Sequence, residues 1–237
     1  MNHLKNSLWL AKFEFKHSYK NLLLLIPIIL LVIIFIQSLV PNYLDQSTMG
    51  LDMIMLLTFV LLSQMTRPKD FQLQKMQGTF YAAPYIIALN QLPIPKKLIV
   101  RYRFLSYIII YSLFVFFIFI GLYAVLEDSV SGLSYLVFAF LWYCIGIYLG
   151  LVTPAFEAAS NMIVNIVVSI VIAPILVIIN TFLFYKAFFQ DGFFGWTMYV
   201  ANEHPFWSLF ISFLLAVIGW IFWQKRMEQK MKRADYL

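Results

Sequence analysis

Asn161, Asn165, Ser169 and Asn180 recur at spacings of four, four and eleven inside a long apolar run. On a helix these spacings gather one amide–hydroxyl arc. The chemistry of such an arc is hydrogen bonding, and it does not face lipid, where an unpaired amide is costly. It can line a pathway, face a second subunit, or tie neighbouring spans together. Other reactive side chains are sparse. His3, His17 and His204 all lie in peripheral segments, at no metal-ligand spacing. Asp52 and Glu157 sit near the ends of apolar runs, where water or headgroups can solvate them, so no charge is expected at mid-span. That weighs against an ion-coupled carrier, which uses ionisable groups or broken helices near the midplane. The sequence contains no G-x-S-x-G, H-E-x-x-H or G-x-x-x-x-G-K-[ST] motif. If nucleotide powers this protein, a separate subunit must hydrolyse it.

The elements that carry these residues are membrane-grade. Of 237 residues 62% are hydrophobic and 12% charged, with mean hydropathy +0.84. A soluble domain holds about 25% charge, so an integral membrane protein is expected. The single cysteine, Cys144, permits no intrachain disulfide. Six stretches approach the ~20 apolar residues that cross a bilayer core: 22–40, 45–66, 104–126, 133–153, 160–183 and 206–223. Their continuity, without the alternation of barrel strands, indicates helices. The expected fold is therefore an all-α polytopic membrane protein with six transmembrane helices in a single domain, 1–237.

Charge sets the orientation. Every Lys and Arg except Lys186 falls before the first span, between the second and third, or in the tail over 224–237. Clustering at span ends is a topology signal; nucleic acid is not an expected partner. The positive-inside rule places both termini and the 67–103 segment in the cytoplasm, as in a multi-pass plasma-membrane protein. Asp45, Glu127, Asp128, Asp191 and Glu203 fall in the opposite loops. Over 1–20, Leu4, Leu8, Ala11, Phe15, Tyr19 and Leu22 share an arc beside Lys5, Lys12, Lys16 and Lys20. That pattern predicts an amphipathic elbow helix in the headgroup layer. The external 184–205 segment is rich in Phe and Trp, as an interfacial belt or a hairpin around Gly192 and Gly195 would be.

The 67–103 segment is long for a helix–helix connection. It shows helical potential before Gly78 and again before Pro93, and a helix pair exposing Phe71, Met76, Phe80 and Tyr81 would invite a protein partner. Within it Gly78-Thr79, Leu92-Pro93-Ile94, Lys96-Lys97, Ile99-Val100 and Arg101 lead straight into the third span. This run resembles the cytoplasmic loop of ABC-2-type transporter permeases. The layout of elbow, six spans, cytoplasmic ends and external aromatic segment is similar too. One departure is the long interval from Gly78 to Pro93, with Pro84 inside it.

The resemblance implies a permease that pairs with a second, identical or homologous permease. Each would bind a cytoplasmic ABC ATPase subunit that holds the ATP and Mg; this chain would hold no cofactor. A coupling helix would dock on the ATPase through Lys69, Phe71, Lys75, Met76, Thr79, Phe80 and Tyr81. Asn161, Asn165, Ser169 and Asn180 would face the pathway or the dimer interface. The cargo implied by small bacterial members is hydrophobic or amphipathic peptide, such as bacteriocins and phenol-soluble modulins. Two other classes remain open on the residues: a membrane-embedded enzyme using Glu157, His204 or Asp52, and an anchor or sensor that recruits a protein through 67–103.

Overall fold

The structure, a computed structural model, describes residues 3–45, 51–52, 54–56, 58, 68–77, 80–127, 130, 132–158, 160–161 and 192–233. Four helical stretches are long and apolar enough to cross a membrane: Leu22–Leu44, Lys96–Leu126, Gly132–Glu157 and Pro205–Arg233. These match four of the six predicted spans. The predicted fifth span, beyond Ser160 and Asn161, lies outside the described residues. So does most of the second, of which 51–52, 54–56 and 58 are helical.

Helix α1 runs unbroken from His3 to Asp45, 43 residues or about 65 Å. No break separates an elbow over 1–20 from a span over 22–40. The packed face coincides only in part with the predicted one. Of the apolar arc Leu8 and Tyr19 are exposed, Phe15 and Leu22 are half-buried against the core and Ala11 is buried, in line with Ser7, Glu14 and Ser18. This small-residue stripe continues through Leu25, Ile29, Ile36, Val40 and Tyr43 in steps of three, four and seven. Small side chains allow a second helix to approach closely, so the narrow face is buried and Leu8 and Tyr19 are left outside.

That second helix is α3 (Lys96–Leu126). Tyr102 donates to Glu14 near one end, and Gln37 donates to the carbonyl of Gly121 at 2.6 Å near the other. Contacts that advance together in this way make α1 and α3 parallel. Helix α4 (Gly132–Gly150) and the short α5 (Val152–Glu157) return antiparallel to α3. Tyr135 bonds the carbonyl of Phe119, Tyr111 stacks on Tyr143, and Arg103 reaches Glu157. Helix α7 (Pro205–Arg233) is antiparallel to α3, through Phe104–Trp220 and Lys96–Met231, and so parallel to α4. The first residues of α1 and α3 and the last of α5 and α7 therefore meet at one end, which carries the lysines and arginines.

Between α3 and α4, glycines make room for tyrosines. A Cβ at Gly146 would collide with the Tyr111 hydroxyl, and one at Gly150 with that of Tyr107. Both rings are buried and stack on each other, so neither has space to retreat. Gly150→Ala is expected to destabilise the bundle by about 1–3 kcal/mol, the usual cost of overpacking. Thermal unfolding in detergent measures it, and an unchanged midpoint would refute this packing.

Between α1 and α3 lies a folded platform: a single 3-10 turn (Lys69–Phe71), strands β1 (Gln74–Gln77) and β2 (Phe80–Ala82), and helix α2 (Pro84–Gln91). β2 pairs antiparallel with β1 on one side and with β3 (Ser160–Asn161) on the other. The predicted coupling helix over Lys69–Tyr81 is thus a turn and a hairpin. The deciding partner is β3, about eighty residues along the chain, and no local periodicity reports it. The helix expected before Pro93 is α2. Pro93 and Pro95 then turn the chain, and the Pro95 carbonyl accepts from Leu98 and Ile99 at the start of α3.

Candidate functional site

The basic end of the bundle contains a buried ionic junction. Arg103 lies on the inner face of α3 and is 2% exposed; Glu14 on α1 is 0% and Glu157 at the end of α5 is 3% exposed. The guanidinium donates Nε to Glu157 Oε2 at 2.8 Å, and Nη2 reaches the same oxygen. Nη1 forks onto both oxygens of Glu14, at 3.2 and 3.0 Å. The Tyr102 hydroxyl donates to Glu14 Oε2 at 2.7 Å. Arginine suits this place because its planar fork serves two carboxylates at once while its charge offsets theirs. One side chain of α3 thereby holds α1 and α5 together.

The junction also reaches the platform. The Glu157 carbonyl accepts from the Ala83 amide at 2.9 Å, just before α2. Tyr85 on α2 packs against Phe71 at 4.6 Å, Tyr102 at 6.1 Å and Phe13 at 6.2 Å. Burial pushes the Tyr85 phenol above its ordinary value, the charge of Glu14 adds to that, and Arg103 opposes it. A displacement of the platform is therefore felt at Glu157, Tyr102 and α1. Both carboxylates are engaged by Arg103, so the arrangement ties helices together and offers no open acid–base pair.

This corrects one expectation. Glu157 is not solvated at a helix end but buried against Arg103. Glu14 carried no expected role. The available signals were its place among Ser7, Ala11 and Ser18 at helical spacing, and the phase of Arg103. Arg103 shares a face with Ile99, Ser106 and Ile110, whereas Lys97 and Arg101 share another.

The predicted docking residues divide by exposure. Lys69, Lys75 and Met76 are exposed, and Leu73 stands beside them; Phe80 and Tyr81 are half-buried. Phe71 is buried against Tyr85 of α2 at 5% exposure, contrary to its expected place on the surface. Thr79 lies outside the described residues. Asn161 stands in β3 opposite Phe80, in extended backbone, so it does not begin a helical polar arc. Asn165, Ser169 and Asn180 lie outside the described residues.

At the opposite end, the 184–205 segment holds helix α6 (Gly192–Glu203); among the described residues it forms no hairpin. The chain enters at Gly192 with φ 71°, a conformation suited to glycine. Asp52 caps this helix from a distant segment, accepting from the Phe193 and Phe194 amides at 2.8 Å each. Asp52 is fully buried, where solvation at a span end was expected. Tyr43 Oη accepts from the Gly195 amide at 3.1 Å. Phe194 meets Phe138 at 5.1 Å, and Trp142 Nε1 donates to Thr197 Oγ1.

Glu157, Asp52 and His204 are thus not assembled. Glu157 is held by Arg103, Asp52 by the start of α6, and His204 follows the far end of α6, about 17 Å along that helix. A cavity of about 760 Å³ opens between α4, α6 and α7. It is walled by Leu141, Ile145, Trp196, Val200 and Ile211, with His204 and Ser208 also on the lining. No protein-family model, curated protein or solved structure matches this chain.

Proposed function

We propose that this chain is the six-span membrane subunit of an ATP-driven exporter of the ABC-2 kind. A separate cytoplasmic subunit would bind ATP and Mg, and a second permease would complete the pathway. The observation that carries the reading is the contact of a folded, surface-exposed platform with Glu157 and Tyr102, which Arg103 and Glu14 tie to one another across α1, α3 and α5. A docked motor that moves the platform would pull on three helices together. An anchor has no need of such a link.

The span count rests on helix direction. α1 and α3 are parallel, so a chain that crosses with both must recross between 45 and 96. α4 and α7 are parallel, which requires the same between 157 and 205. The predicted spans over 45–66 and 160–183 fall in those intervals. The basic end then faces the cytoplasm of the plasma membrane with both termini. The apolar cavity beside α6 suits a hydrophobic or amphipathic peptide as cargo.

The test is capture of a P-loop ATPase co-expressed with this chain, taken from a neighbouring gene where one is encoded. Lys75→Glu/Met76→Glu reverses charge and removes an apolar contact on exposed positions, so fold stability should change by no more than about 0.5 kcal/mol. Capture and transport-coupled hydrolysis should nevertheless be lost. Capture that survives the double variant would reject the docking surface. Purification with no hydrolysing partner would reject the exporter reading, and capture without cargo-dependent hydrolysis would make the chain an anchor.

A further inference from the structure

The first two turns of α3 are electrostatically unbalanced. Lys96 and Lys97 open the helix, and no acidic residue stands in its first turn. That end already carries the positive pole of the helix dipole. Lys96 relieves the conflict by donating to the Met231 carbonyl at 2.9 Å, in the last turn of α7, where a cation is favoured. Among the described residues neither Lys97 nor Arg101 forms a salt bridge within 4 Å, and neither does Lys225 on the facing turn of α7. The three line one cleft of about 240 Å³ with Val100, Trp220, Ile221, Gln224 and Glu228. Glu228 bridges Lys232 at 2.8 Å and also lies within electrostatic reach of Lys97. Gln224 Nε2 is shielded from solvent and has no hydrogen-bond partner among the described residues. The cleft thus presents three cations against one carboxylate, with one unused amide donor, above an apolar floor.

We propose that this cleft binds the phosphate headgroup of an anionic phospholipid, with the acyl chains descending over Val100, Trp220 and Ile221. The residues are spaced i, i+3, i+4 on α3 and on α7, so two antiparallel stripes face one ligand. Lys97, Arg101 and Lys225 are exposed on the outside of the bundle, where a lipid has direct access. Basic pockets between membrane helices at the basic end are the usual setting for such headgroups. Bound lipid would cross-link α3 to α7 beside the Lys96–Met231 bond. The ionic junction uses the opposite face of α3, so this site and the exporter reading stand or fall separately.

The experiment is native mass spectrometry of the full chain in detergent, titrated with phosphatidylglycerol, phosphatidylcholine or inorganic phosphate. Phosphatidylglycerol should bind tightly to the wild type and phosphatidylcholine weakly. Lys225→Gln should weaken phosphatidylglycerol about 5-fold, and Lys97→Gln/Arg101→Gln/Lys225→Gln about 100-fold. Lys5→Gln/Lys12→Gln, removing as exposed a pair of charges elsewhere at the same end, should leave binding unchanged. Equal binding of the two lipids, or wild-type affinity in the triple variant, would overturn the site. Should the triple variant fail to fold, wild-type affinity in Lys225→Gln alone overturns it. Saturation by inorganic phosphate with no added gain from lipid would assign the cleft to a soluble anion and overturn the lipid proposal.

Discussion

Arg103→Met destabilises the bundle by about 3–5 kcal/mol, the cost of leaving buried charges without their partner. Glu14 and Glu157 are 0% and 3% exposed, and both oxygens of Glu14 and Oε2 of Glu157 accept from this guanidinium. Deleting it exposes the two carboxylates to each other and to an apolar surround. Tyr102 still serves Glu14, but one neutral hydroxyl does not replace a charge. Arg103→Lys should fall between, because an ammonium keeps the charge without the fork that spans α1 and α5. Glu14→Gln/Arg103→Met/Glu157→Gln removes all three charges and should recover most of the loss. Urea or thermal unfolding in detergent reads each step. A loss below about 1 kcal/mol in Arg103→Met would mean that the junction is not the tie between the helices. Under the exporter reading the neutral triple variant should also be poorly coupled: ATP hydrolysis should lose its dependence on cargo while the fold survives.

The long runs that end in charge are legible in the sequence because lipid imposes a single rule over twenty residues. α1, α3, α4 and α7 follow from it, and so does the gathering of basic residues at one end. Partner choice inside the bundle does not follow. Leu8 and Tyr19 of the predicted arc on α1 are bulky and apolar, yet they stay exposed while the face with Ser7, Ala11 and Ser18 packs. In water the apolar face would be buried; in lipid both faces are apolar enough, and close fit decides. Arg103 and Glu157 looked peripheral because each stands at the end of a run. They are buried because the platform covers that end, and the platform exists because Phe80 and Tyr81 pair with Asn161 and Ser160. Pairings across eighty residues leave no trace in a window of eighteen. Asp52 was missed for the same reason, its partners lying about 140 residues downstream.

Asp52→Ala should cost about 3 kcal/mol, since each hydrogen bond to a charged group is worth about 1.5–3 kcal/mol and this carboxylate accepts two. The loss is local in origin. Phe193 and Phe194 are left with unmet amides at the start of α6, and the helix dipole loses its counter-charge. Tyr43 still holds the Gly195 amide, so α6 should loosen but persist. Asp52→Asn keeps an acceptor without the charge and should lose roughly half as much. Hydrogen exchange over 193–201 is the discriminating measurement, rising in Asp52→Ala while the amides of α3 near Arg103 stay protected. Unchanged exchange over 193–201 would remove Asp52 as the cap. The double variant Asp52→Ala/Arg103→Met then asks whether the two ends communicate. Phe138, which touches α6, and Glu157, which holds Arg103, are separated by about 29 Å of helix. Sites so far apart add within about 0.5 kcal/mol when each responds alone. A membrane subunit driven from its basic end must transmit motion along α4 to the cavity beside α6. For such a protein the double variant should depart from additivity, and strict additivity would favour a rigid anchor.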